Sequence, residues 1–493
     1  MSSIFQRLLK RGAAASPAPQ TAATDGLPPS GTSWSDSDVS ARHAFDAAYA
    51  AAADSAGARD FERAIQFYEQ AIALDPTRAE PYYKRANALR NIGRLEEAIA
   101  GYAEAIARKA DYAHAYCNCG VALQSLGRMD SALISYDRAI ALDPTDVMAH
   151  YNRALLMQDC SRWDEALASY GRAIDLNPQF PDALYNRSMA QLYLGDFESG
   201  WRGYEWRWAN AHRLGIGESR SFAGRRWLGE DTLAGKRILL YGEGGLGDTL
   251  QFCRYGTSCA DLGATVILEV PEVLRQLLGS LEGVSQVISA GSPIPPFEYH
   301  CPLLSLPLAF KTTVETIPAP AGYLRADQAR IARWRARLGE RRRPRVGLVW
   351  SGNPDNPMDA RRSIRLTEWL ERLPPGFEYF RLQTQVRERD RAALDSNPQV
   401  ISFDDSLLDF ENTAALCGCM DVIVSVDTSL AHLAGALGHR TWILLSQTPD
   451  FRWMRDREDS PWYPSLKLYR QTIAGDWRSV FDRVAADLCR EFR

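Results

Sequence analysis

The chain has 493 residues, 46% of them apolar and 24% charged, the make-up of a soluble globular protein of about three domains. Its net charge of −4 gives no electrostatic case for nucleic acid, whose binders usually show a basic domain or stripe. No apolar run reaches the roughly eighteen residues that a membrane-spanning helix needs.

In chain order, the opening MSSIFQRLLKRG breaks Ile4, Phe5, Leu8 and Leu9 with Arg and Lys. It lacks the unbroken apolar core of a secretory signal, and reads as a short docking helix or a frayed terminus. Ala13 to Ser40 is rich in Ala, Pro, Ser, Thr and Gly, so positions 1–40 are expected to form a disordered tail. The nine cysteines are odd in number and scattered, which predicts reduced thiols and a cytoplasmic protein. The C-x-C pairs Cys117/Cys119 and Cys417/Cys419 have no second pair nearby and read as small core hydrophobes, not metal ligands.

A strong periodicity follows. Tyr68, Tyr102, Tyr136, Tyr170 and Tyr204 stand 34 residues apart, as do the pairs beginning at Ala71, Ala105, Ala139 and Ala173. Asp75-Pro76, Asp143-Pro144 and Asn177-Pro178 end helices in the same register, and Gly93, Gly127 and Gly195 mark turns, with Ser161 in the remaining slot. A 34-residue unit of two helices resembles the tetratricopeptide repeat. Four full units are expected from about Phe45 to Asn177, and a truncated fifth runs through GDFESGWRGYEWRW. Such pairs stack into a superhelical solenoid, here assigned to 41–212. Asn118, Asn152 and Asn186 recur at the same slot. They either form an amide ladder that grips a peptide backbone or serve local packing.

Beyond a linker at 213–235 the texture changes to strands alternating with helices. KRILLYGEGGLGD, ATVILEV and VSQVISA supply strands of one series (236–343). RVGLVWSGN, FEYFRLQ, PQVISFD, DVIVSVD and TWILLSQ supply a second (344–493), after the arginine-rich ARIARWRARLGERRRP. The pattern predicts two parallel sheets with helices on both faces and a ligand beyond the carboxyl ends of their strands. Polar interruptions fall at those ends: Gly242 to Asp248, Ser351-Gly352-Asn353, Gln383-Thr384 and Asp427-Thr428-Ser429.

A helix starting near Thr428 offers unpaired N–H groups, with His432 one turn along the same face. This is either a phosphate cradle or an ordinary capped helix. Gly242, Gly244 and Gly247 fit G-x-G-x-x-G, but no acidic residue plainly ends the next strand, where Glu269 is followed by Val270. The glycines read instead as admitting the backbone to a bulky ligand. Asp248 is either a general base or a helix-start charge.

Together, GEGGLGDTLQFCRY, WSGNPDNPMDARRSIRL, DFENTAALCGCMDVIVSVDTSLAHLAGALG and PDFRWMRDREDSPWYPSLKLYRQ resemble bacterial tetratricopeptide-repeat glycosyltransferases. The catalytic half is similar to the heptosyltransferase family and distantly to O-GlcNAc transferase. The resemblance implies an α-solenoid followed by a GT-B architecture: an acceptor-side Rossmann-like domain at 236–343 and a donor-side one at 344–493 with a terminal helix. It implies inverting, metal-independent sugar transfer from a nucleotide-sugar co-substrate, with no bound cofactor, to a hydroxyl, with a protein acceptor held by the repeats. Transfer to glycans or lipid-linked sugars, or an inactive scaffold, are the alternatives. Asp248 maps onto the base. Gly247, Ser351, Asn353, Arg362, Gln383, Asp427, Thr428, Ser429 and His432 map onto the donor site, and the peptide would lie on Asn118, Asn152 and Asn186. Thr384 stands where many relatives carry a diphosphate-supporting Lys, and Arg362, Arg387 or Arg452 are the candidate substitutes. The aromatic and arginine-rich FRWMRDREDSPWYP falls near the donor base or sugar, or is a packed loop.

Overall fold

The computed structural model describes residues 36–211, 220, 222–356, 359–404 and 409–492. Of the tail expected at 1–40, residues 1–35 lie outside that range. From Asp36 the chain is helical, running to Gly57. Only 36–40 depart from the expected tail: they begin a helix whose stripe, Phe45, Tyr49 and Ala52, four and three apart, lies within the span assigned to the solenoid, with Phe45 and Ala52 buried. Tyr49 also meets Tyr68 of the following helix edge-on at 5.7 Å.

Helices Phe61–Leu74, Ala79–Asn91, Leu95–Arg108, Ala113–Ser125, Met129–Leu142, Val147–Asp159, Trp163–Leu176 and Pro181–Leu194 realise the 34-residue period. Tyr102, Tyr136 and Tyr170 are fully buried beside fully buried alanines. Their hydroxyls are satisfied by donating to Asn87 Oδ1 (2.7 Å), Gln124 Oε1 (3.0 Å) and Gln158 Oε1 (3.0 Å). Gly120 makes room for one of them, since a Cβ there would sit 2.7 Å from the Tyr136 ring. The helix-ending Asp75, Asp143 and Asn177 each accept from the amide two residues on, which closes the turn locally. The turn slot is left-handed throughout. Gly93, Gly127 and Gly195 have φ of 83°, 76° and 92°, and Ser161 and Arg59 fill the same slot at 59° and 61°.

The chain divides into two compact units between Arg187 and Ser188, inside the helix Pro181–Leu194 and earlier than the boundary expected at 212. The truncated fifth repeat therefore belongs to the second unit. With no further helix to cover it, Trp201 of helix Phe197–Tyr204 lies edge-on to Phe252, Phe451 and Trp462 at 6.3, 5.7 and 6.3 Å. The expected linker is partly structured as well. Its residues 212–219 and 221 lie outside the described range, but Arg225–Arg226 form an edge strand and Trp227 is buried.

The second unit holds two parallel sheets. The strands of the first are β1 (Arg225–Arg226), β2 (Arg237–Tyr241), β3 (Thr265–Val270), β4 (Val284–Ser289) and β5 (Tyr299–Pro302), in the order β1-β5-β2-β3-β4. Those of the second are β6 (Arg345–Val349), β7 (Glu378–Arg381), β8 (Val400–Ile401), β9 (Val422–Val426), β10 (Thr441–Leu445) and β11 (Leu466–Arg470), in the order β11-β10-β9-β6-β7-β8. All neighbours pair parallel. The apolar runs β6, β9 and β10 are buried at every position, as strands covered on both faces must be. The terminal helix Trp477–Glu491 packs onto the second sheet's core, with Phe481 stacked on Trp369 at 5.9 Å. No described helix is long and apolar enough to cross a membrane.

Strand order reverses between β2 and β5 in the first sheet, and between β6 and β9 in the second. Ligands of open parallel sheets bind beyond the carboxyl ends at such switch points. The turns that leave β2, β6 and β9 are the Gly242, Ser351 and Asp427 turns.

Candidate functional site

The two switch points face one another. Helix Leu246–Phe252, which follows β2, packs against helix Ser429–Ala436, which follows β9. Glycine permits the approach. A Cβ on Gly247 would stand 2.8 Å from the His432 ring and 3.6 Å from Ser429 Cα. A Cβ on Gly244 would overlap the Asp248 carboxylate. Gly247 and Gly244 thus admit the protein's own His432 and Asp248.

Asp248 sits in the first turn of its helix and its Oδ2 accepts from Gly245 N–H at 2.7 Å. Its Oδ1 is paired with Arg452 Nη2, which arrives from the loop between β10 and β11. Arg452 also donates from Nη1 to Asp450 Oδ1 (2.7 Å) and from Nε to Gln251 Oε1 (2.6 Å). Its burial opposes the charge, yet Asp450 and Asp248 hold Arg452 above the ordinary guanidinium range. Asp248 is thus both a helix-start charge and a carboxylate at the meeting of the two sheets, with both oxygens engaged.

Thr428 caps helix Ser429–Ala436, its hydroxyl accepting from Leu430 N–H at 3.3 Å. His432 is buried. Its Nδ1 lies 2.8 Å from the Tyr463 hydroxyl, its ring stacks on Trp453 at 5.5 Å, and its Nε2 stands 4.0 Å from Asp427 Oδ1. Burial, then the charges of Arg452, Arg254 and Arg362, pushes it well below 6.5, so at neutral pH it is an uncharged imidazole. Asp427 is raised by burial against the pull of Arg362.

On the β6 side, Gln383 braces the turn. Its Oε1 accepts from Trp350 N–H (3.1 Å) and Ser351 N–H (2.9 Å), and its Nε2 donates to Ser351 Oγ (2.6 Å). Gln383 and Ser351 are therefore tied to each other and hold the loop. Asn353 is exposed, with Oδ1 accepting from Asp355 N–H at 3.0 Å. Arg362 lies against Gly352, where a Cβ would be 2.8 Å from its Nη2. The three arginines offered in place of the missing Lys separate clearly. Arg387 is spent on Asp359 and on the Gly352 carbonyl (2.8 Å), and Arg452 on Asp248 and Asp450. Arg362 stands 3.9 Å from Asp359, and its buried Nε has no hydrogen-bond partner.

The asparagine series resolves toward packing. Asn118 Nδ2 donates to Tyr83 Oη (2.9 Å), Asn152 Nδ2 to Cys117 Sγ (3.6 Å) and Asn186 Nδ2 to Tyr151 Oη (2.7 Å), each reaching back 35 residues. Asn152 and Asn186 are buried. The ladder joins each repeat to the one before it, with one N–H of each amide bonded there. In FRWMRDREDSPWYP the aromatics likewise pack: Trp453, Trp462 and Tyr463 are buried, and Arg452 alone reaches Asp248.

Sequence reading missed several partners. Glu243, within the glycine turn, is buried, pairs with Arg207 at 2.9 Å and accepts from Leu304 N–H at 3.2 Å, while its Oε2 is unpartnered. Burial raises it to about 7 despite Arg207. Arg254 is buried among the Trp462 carbonyl (2.5 Å), the Tyr323 hydroxyl (2.9 Å) and the Tyr463 ring (4.5 Å), with no carboxylate paired to it among the described residues. Only the density of Arg and aromatics around 451–463 hinted at these contacts. Among the described residues, no group of His, Cys, Asp and Glu could hold a metal.

Repeats of this geometry joined to two parallel α/β sheets define a tetratricopeptide-repeat protein with an α/β second unit. Tetratricopeptide-repeat families match residues 86–127 with 158–195, 67–100 with 135–168, and 113–146. The chain is similar to protein FlbA of Caulobacter vibrioides, 28% identical over 326 residues, which cover 61% of this chain and 54% of FlbA. It thus spans about half the length of the curated relative it matches. Among solved structures it is similar to MamA (21% identical, 34% of this chain and 89% of that one, TM-score 0.29). It is also similar to YrrB (23% identical, 32% and 82%, TM-score 0.28).

Proposed function

We propose that the chain is a metal-independent glycosyltransferase of GT-B architecture, taking a nucleotide-sugar as donor. The carrying observation is that the polar turns at the switch points of two parallel sheets meet, with Gly247 against Ser429 and His432. A carboxylate from one sheet then stands beside arginines and a helix start from the other. In the reaction, the acceptor oxygen attacks the anomeric carbon, the bond from that carbon to the phosphate oxygen breaks, and configuration inverts. Asp248 takes the acceptor proton, and the nucleotide leaves with the bonding electron pair. Arg362, whose Nε makes no hydrogen bond, and the N–H groups of the Ser429 helix start oppose the charge that develops there. The repeats carry the protein that presents the hydroxyl, since solenoids of this kind offer extended binding surfaces.

A second reading draws on the fact that both Asp248 oxygens are engaged: a scaffold that binds nucleotide or nothing and turns over nothing. A nucleotide-sugar turnover screen separates them. We expect sugar release with at least one donor, and an Asp248→Asn variant slower by about 100-fold or more, as loss of a general base gives. No turnover with any donor, and no nucleotide-induced rise in melting temperature, leaves the scaffold.

A further inference from the structure

In the structure the carboxylate proposed as base is held, and the group that holds it comes from the donor side. We infer that Arg452 is a shared cation: it clamps Asp248 until the donor's diphosphate binds, then moves onto that diphosphate, releasing Asp248 to receive the acceptor proton. The inference rests on the transferase reading and deepens it.

Three features lead there. First, Arg452 is the only cation paired with Asp248 among the described residues. That bond joins positions 204 residues apart, across the two sheets whose switch points form the site. Second, Arg452 is mounted to pivot without being lost. Its backbone N–H and Nη1 are both bonded to Asp450, at 3.1 and 2.7 Å, and its Nε to Gln251. Its guanidinium also lies over the Phe451 ring at 4.5 Å. Re-aiming the guanidinium leaves the backbone bond to Asp450 in place, so the residue stays anchored as Nη2 leaves Asp248. Third, its neighbours are those a diphosphate would meet. Trp453, the next residue, stacks on His432, and Gly247, the residue before Asp248, lies 3.6 Å (from its Cβ position) from Ser429 Cα at the helix start. An anion at that helix start therefore competes with Asp248 for one guanidinium.

Competition for a shared partner is reciprocal, so removing one competitor tightens the other. Titration calorimetry on the full chain, with UDP, ADP, GDP, CDP and inorganic pyrophosphate as probes, tests this. Asp248→Asn is expected to bind the preferred diphosphate about tenfold more tightly than the parent, and Arg452→Gln about tenfold more weakly. Asp450→Asn, which also strips a carboxylate from Arg452 without touching the base, should tighten binding too and stands in if Asp248→Asn does not fold. A purely structural Arg452–Asp248 pair predicts the opposite for the two neutralised carboxylates: Asp248→Asn and Asp450→Asn would bind the diphosphate no better, or more weakly, than the parent. If the parent binds a diphosphate and neither neutralised variant binds it better, the shared-cation inference falls and the transferase reading stands. If no probe binds parent or variants, both fall.

Discussion

The repeats and the two-sheet unit solve the same problem, burying polar side chains, over different distances along the chain. In the repeats each tie is short and copied: Asn118, Asn152 and Asn186 each reach back 35 residues to the same slot. In the second unit the ties are single and distant, 204 residues for Arg452 to Asp248 and 208 for Arg254 to the Trp462 carbonyl. A copied tie lost at one site leaves others in place, because a repeat array is stabilised by nearest-neighbour interfaces. A single distant tie has no understudy. Damage should therefore stay local in the first unit and spread through the second.

The largest test of that contrast is at Gly438. Its φ is 70°, and a Cβ would overlap the Ala321 carbonyl oxygen. The carbonyl belongs to the crossover that docks on helix Ser429–Ala436, where the Tyr323 and Leu324 amides both donate to the Ala436 carbonyl, at 2.8 and 3.0 Å. Gly438→Ala adds left-handed strain to an overlap with rigid backbone, so the second unit should lose about 3 kcal/mol or more. Urea unfolding followed by tryptophan fluorescence measures it. A loss under about 1 kcal/mol would mean the crossover yields freely.

Next in size is Glu243. It is raised from 4.5 to about 7, by burial above all. Between those values the unfolded chain ionises and the folded one does not, so folded molecules hold more protons. Stability is then complete below about 4.5 and is lost as pH rises to about 7, by about 3 kcal/mol in all. Glu243→Gln cannot ionise. Its stability relative to the parent should therefore rise by that amount across the window. His432, depressed in the folded state, loses stability in the opposite sense as pH falls, but it is common to both proteins and cancels in the difference. A difference that stays flat from pH 4.5 to 7 removes the assignment.

What could be read in advance follows the same division. The period, the turn slots, strands β2–β4 and β6–β10 and the four polar turns at their carboxyl ends were legible, because each depends on spacing within a few dozen residues; β1, β5 and β11 were not. Of Asp36–Gly57 only residues 36–40 were read as tail, since they lie ahead of Phe45, Tyr49 and Ala52, which carry the helix's stripe. The direction of the asparagines was not legible, since an amide slot looks the same facing a ligand or the next repeat. Nor were the partners of Asp248 and Glu243: nothing near Asp248 points to Arg452, and nothing near Glu243 points to Arg207. The glycines were noticed for the right reason, close approach, but the approaching groups proved to be His432 and an aspartate of their own turn.

Within the repeats the asparagine ties give a smaller effect. Tyr151→Phe removes the acceptor at 2.7 Å from the buried Asn186 amide, which should cost the first unit about 1–2 kcal/mol. The second unit's nucleotide response should not change. If the amide instead faced a bound peptide, the substitution would leave unfolding where it was.

The smallest effect belongs to the turn slot, and the chain contains its own controls. Gly127 has φ of 76°, and a Cβ there meets nothing within 4 Å. In the equivalent slots Ser161 and Arg59 already carry side chains at 59° and 61°, so the geometry is accessible at the cost of left-handed backbone alone. Gly127→Ala should therefore destabilise by about 1 kcal/mol, and Ser161→Gly should recover a similar amount or less, since glycine's freedom in the unfolded chain offsets part of the gain. Both are readable as shifts in urea midpoint at constant slope. Set beside Gly438→Ala, the pair separates the two costs that a left-handed glycine can hide. One is conformational and similar in every repeat; the other is steric and depends on what the rest of the fold has placed there.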